Sequence, residues 1–155
     1  MWRDPAKAQP HLTRARSGNY GLMLIGTDDE FAATGKQNLL ERHVAIDDIA
    51  ATVAHLYHFK TTSFAQHMAL GTFYEEMPGL VDSLVEAYQG KYGLVTEYPA
   101  SMVECGTDPV AFVTGVKDYV AATRGTLPDD SELQNLVDEI AALAASTLYK
   151  LTFLS

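Results

Sequence analysis

The chain has 155 residues, 47% of them hydrophobic and 20% charged, and a formal net charge of −9. That length supports one domain with one core, and no apolar run approaches the roughly 20 residues of a membrane span. A lone cysteine, Cys105, excludes an internal disulfide framework, fits a reducing compartment and points to a cytoplasmic protein.

Residues 1–35 are punctuated by Pro5, Pro10, Gly18, Gly21, Gly26 and Gly35 and hold no helical period, so an irregular extension is expected there. Leu22-Met23-Leu24-Ile25 is too short for a signal peptide. Arg3, Lys7, Arg14 and Arg16 against Asp4 give residues 1–16 a net charge of +3. Of the chain's 11 basic and 20 acidic residues, seven and nineteen then remain, a net of −12 for the rest. An acidic body repels a phosphate backbone, so only the basic extension could hold DNA. A solvated tail or a subunit-anchoring arm is the plainer reading.

Residues 36–155 read as four amphipathic helices. The first is expected from Lys36 to Phe59, with Leu39, Ile46, Ile49, Val53, Leu56 and Tyr57 on its core face. His55 and His58 point away from that stripe. A second helix, from Ser63 to Gln89, buries Leu70, Phe73, Met77, Leu80, Leu84 and Tyr88 and turns Glu75, Asp82 and Glu86 outward, with His67 on the flank. Gly90 is the expected C-cap. Pro78 lies inside this helix, where proline costs about 3 kcal/mol or kinks the axis. After a long connection (91–107), Thr107-Asp108-Pro109 opens a third helix running to Arg124 and ended by Gly125. Asp129, Asp130 or Ser131 caps a fourth, with Leu133, Leu136, Val137, Ile140, Leu143, Ala144, Leu148 and Leu151 at helical spacing. The expected class is all-α, a four-helix bundle with one long connection.

The chemistry-bearing residues gather on the first two helices. Imidazole and carboxylate together suit iron and its first-row neighbours. Asp82 and Glu86 are one turn apart and face the same way. His67 and Asp82 are fifteen residues apart, ~22 Å along a continuous helix, whereas a metal–ligand bond spans only about 2 Å. One chain cannot close such a site; two could. The fourth helix has no histidine, which argues against the intramolecular carboxylate-bridged centre of larger bundles.

Tyr57-His58-Phe59, Phe64, His67, Tyr74-Glu75-Glu76 and the Asp82-x-x-x-Glu86 pair together resemble the first two helices of Dps-type mini-ferritins, in the ferritin-like superfamily. The segment is also similar to a group of ferritin-like proteins of bacteria and their phages. The match covers about a third of the chain. It implies a ferritin-like bundle whose ferroxidase sites lie between two-fold mates, with two histidines from one subunit and Asp82 and Glu86 from the other. The first histidine is His58 when Tyr-His-Phe is aligned and His55 when loop length is. The resemblance further implies Fe(II) oxidation by peroxide or dioxygen at a mononuclear or di-iron site, zinc as a substitute metal, and ferric storage in a larger homo-oligomer such as a dodecameric shell. Glu75 and Glu76 would be neighbouring or entry groups.

Set against this is a non-catalytic structural or assembly protein of phage origin, placed in a virion or infected cell. There Asp82 and Glu86 are a solvated acidic face, His55 and His58 are exposed, and His67 is a helix-start residue with a satisfied ring nitrogen. Tyr74, Phe59 and Phe64 are then packing groups, and Cys105 is incidental.

Overall fold

Apolar residues at helical spacing yield α1 (Gly35–Lys60), α2 (Phe64–Tyr92), α3 (Pro109–Thr123) and α4 (Ser131–Phe153). The structure is a computed structural model that describes residues 22–24, 35–96, 98, 101–103 and 105–154. A 3₁₀ turn, Arg124–Thr126, follows α3. Two short strands, β1 (Leu22–Leu24) and β2 (Ser101–Val103), pair antiparallel with Leu22 opposite Val103. The extension is therefore not irregular throughout. Its remainder up to residue 34, with the basic residues and the DNA expectation attached to them, lies outside the described residues.

End-to-end contacts fix the helix directions. Lys91 and Tyr92, closing α2, meet Asp130 and Glu132 at the start of α4. Lys60, closing α1, reaches the Cys105 sulfur and the Gly106 carbonyl just before α3. Arg124, after α3, pairs with Asp138 and Gln134 in the first turns of α4. With α1 drawn upward, α2 and α3 run down and α4 runs up. Neighbours α1–α2, α2–α4, α4–α3 and α3–α1 close a ring. Residues 93–108 must therefore climb the whole bundle, laying β2 against α1 on the way.

The core fills the centre of that ring. Leu70, Phe73, Met77, Val81, Leu84 and Tyr88 of α2 pack with Leu133, Val137, Ile140, Ala144 and Leu151 of α4. Val113, Val116 and Val120 of α3 and Leu40, Val44, Ala50, Val53, Ala54 and Tyr57 of α1 complete it. Leu56 departs from expectation and is 44% exposed. The inward stripe of α1 is rich in alanine, so its weak hydropathy placed the face one position too far round. The Leu39 and Ile46 side chains lie outside the described set.

Helix ends also differ from the sequence reading. α2 passes Gly90 and stops at Gly93, whose φ of 96° and ψ of 171° suit a residue without Cβ. Its N–H donates to the Gln89 carbonyl. Gly93→Ala is expected to lower stability by about 1–3 kcal/mol, read from a denaturant midpoint with an unchanged slope. Pro78 neither ends nor splits α2; it only deprives the Tyr74 carbonyl of its intrahelical donor. Asp108 caps α3, accepting from the Val110 and Ala111 amides at 2.9 and 3.1 Å. α3 ends at Thr123, so Gly125 falls in the 3₁₀ turn. Asp130 precedes α4 but makes no capping bond; its carboxylate serves Lys91 and Tyr92 and is held below the usual range by them. Among the described residues no helix is long and apolar enough to cross a membrane.

Candidate metal centre at the hairpin tip

Three residues, 61–63, reverse the chain between α1 and α2, and their side chains set the turn. The Gln66 N–H donates to Ser63 Oγ at 3.3 Å, which is the N-cap bond of α2. The Ser63 N–H is taken by Thr61 Oγ1 at 3.1 Å, and the Thr61 hydroxyl donates to Gln66 Oε1 at 2.7 Å. This is a capping box relayed through one extra residue.

The turn brings His58, near the end of α1, against His67, near the start of α2. Their rings stack with centroids 3.6 Å apart and planes 25° from parallel. His58 Nδ1 lies 2.9 Å from the His67 carbonyl oxygen, and His67 Nδ1 lies 3.2 Å from that of His58. A carbonyl only accepts, so both Nδ1 atoms carry the proton. In the neutral ring this tautomer leaves Nε2 as a lone-pair donor, the form in which a backbone-anchored imidazole binds a metal. The His58 carbonyl is one of the last four of α1 and lacks a helical partner, so His67 also caps that helix. Neither histidine points simply to solvent: both are half-buried.

Around the pair lies a chain of rings. Tyr74 presents its edge to His58 at 5.2 Å and stacks on His55 at 4.1 Å, with planes 22° apart. Phe59 lies 4.4 Å from His55. Burial, then the Glu75 carboxylate 3.4 Å away, pushes the Tyr74 hydroxyl's pKa up. Gly71 lies under His58, since a Cβ there would sit 3.5 Å from its Nδ1 and Cε1.

Asp82 and Glu86 are exposed further along α2. His67 and Asp82, fifteen positions apart, belong to one unbroken helix, so the ~22 Å separation stands. Among the described residues no group of three or more His, Cys, Asp or Glu could hold a metal ion. The structure thus brings His58 and His67 together, places His55 beside Tyr74, and leaves Asp82 and Glu86 apart from all three. Sequence reasoning passed over Asp48 of α1. Partial burial, then the charges of Asp82 and Asp47, holds its carboxyl above the usual range. Its spacing of seven from His55 puts both on one strip of α1, a signal the sequence did carry.

A family model described as a family of unknown function (DUF5856) matches residues 58–151. An uncharacterized 14.6 kDa protein from the mobD–ri intergenic region of Enterobacteria phage T4 is 25% identical over 126 residues, covering 79% of this chain and 95% of that protein. No solved structure matches the chain significantly. The family match begins at His58, three residues after His55, and takes in His67, Asp82 and Glu86.

Proposed function

The chain belongs to DUF5856, a family of unknown function, and from that premise we propose that it is a ferritin-like bundle that takes up and oxidises Fe(II) between two copies of itself. The observation that carries this reading is the reciprocal histidine pair, whose hydrogen bonds leave two Nε2 donors free. The ring of neighbours with one full-length crossover supports it, because ferritin-like bundles carry one such connection.

The donor set fits iron when two chains contribute. A two-fold axis beside Tyr74 and Glu75 would set His67 of one copy level with the partner's Asp82, and Gly71 level with the partner's Pro78. Gly79, where a Cβ would meet nothing within 4 Å, and the flat Pro78 ring leave room for a close helix crossing. Imidazoles hold the ion while carboxylates add charge and hard oxygen. Two planes 25° apart, with centres 3.6 Å apart, meet roughly 8 Å away, beyond the about 2.1 Å reach of a metal–nitrogen bond. Each imidazole would therefore serve its own Fe(II). One electron leaves each Fe(II) for peroxide or dioxygen, and the ferric product is stored within a homo-oligomeric shell. Zinc would occupy the same donors without redox chemistry.

One observation favours a second reading, a non-catalytic assembly module. The hairpin tip exposes Phe59 (69%), Phe64 (78%) and Met68 (54%), an apolar surface of the kind that marks interaction sites. A phage-encoded relative is consistent with such a role. Light scattering with and without Fe(II), alongside ferric absorbance, separates the readings. An oligomer that develops ferric absorbance supports iron oxidation, and an oligomer that develops none supports the assembly module. A monodisperse monomer at micromolar concentration overturns both.

A further inference from the structure

We propose that Tyr74 decides which imidazole of α1 receives metal, by immobilising His55 and leaving His58 to act with His67. The inference rests on the metal uptake proposed above and goes beyond it, because spacing alone left His55 and His58 equivalent.

His55 and His58 are one turn apart on α1, and their centroids are 6.0 Å apart. Either could have reached the start of α2. Tyr74 touches both rings, in different ways. Its ring lies flat on His55, while Phe59 packs against His55 at 4.4 Å. An imidazole held by two aromatic neighbours loses their contact if it turns toward a metal. His58 meets Tyr74 edge-on, at 77°, so the tyrosine limits its rotation without covering its face. That face instead meets His67. Tyr74 is itself half-buried against the core, which fixes its ring relative to both helices. It is a positioning residue and has no place among the donors.

The test uses the full chain with ¹⁵N-labelled histidine and Zn(II) as a diamagnetic probe, followed through imidazole nitrogen resonances. In the wild type, Zn(II) should shift the His58 and His67 nitrogens and leave those of His55 in place. Tyr74→Leu should free His55, so that its nitrogens join the response and the change at His58 diminishes. Tyr74→Phe keeps the ring and should restore the wild-type pattern. A role in packing alone would alter melting in Tyr74→Leu without moving the response between histidines. A His55 response in the wild type, or an unchanged pattern in Tyr74→Leu, overturns this inference while metal binding stands. Silence at all three histidines of the wild type overturns metal uptake and this inference with it. Far-ultraviolet circular dichroism of each variant checks that the helices persist.

Discussion

Replacing Asp82 with Asn and Glu86 with Gln in one chain should reduce Fe(II) oxidation about 100-fold or more while helix content and oligomer mass are kept. Outer partners of metal ligands already cost about 10–100-fold when removed, and these residues are proposed to touch the ion. Both side chains are exposed on α2, so amides of equal size disturb no core contact. The substitution removes two negative charges, and with them the pull on a divalent cation. Initial rates of ferric absorbance, beside light scattering, read both parts. Oxidation at the wild-type rate in the double variant would remove Asp82 and Glu86 from the iron site and with them the two-chain donor set.

Phe73→Ala should be the most damaging single change to the bundle. Phe73 is fully buried and lies in the core cluster that all four helices share. Truncating a buried phenylalanine costs about 3–5 kcal/mol, which in a domain of this size lowers the melting temperature by on the order of 10 °C. Calorimetry measures it. A shift of only a degree or two would mean that Phe73 is not buried in the core as described. Phe73 also adjoins Tyr74, so loosening it should blur the histidine response to Zn(II) before the helices melt.

The four helices were legible in the sequence because their apolar positions repeat at helical spacing over fifteen or more residues each. The fourth was clearest: every residue assigned to its core face is buried or packed against the core. The first was less so, since Ala50, Ala51 and Ala54 carry the burial that Leu56 had been expected to share. The end of α2 was misread because Gly90 and Gly93 are both plausible stops, and only backbone geometry shows which adopts positive φ. The β1–β2 pairing was invisible, for three-residue strands far apart in sequence leave no periodic trace.

Proximity of His58 and His67 followed from a tight turn between two helices. Their reciprocal hydrogen bonds did not, because these depend on where helix-end carbonyls fall in space. Nor could spacing reveal that Tyr74 stacks on His55 while meeting His58 edge-on. The separation of His67 from Asp82 was arithmetic, and an unbroken α2 keeps it.

The full-length climb of residues 93–108 has a consequence for synthesis on the ribosome. α1 and α2 leave the exit tunnel first and can pair at once through their short turn. The part of α2 that meets α4 then has no cover until α4 emerges, because those two helices meet across the whole intervening chain. At about 5–20 residues per second, that interval lasts seconds, long compared with helix formation in about a microsecond. Leu22 and Val103, 81 positions apart, must also find each other late. The nascent hairpin is therefore the species that a holding chaperone, or a second chain on the same message, meets first.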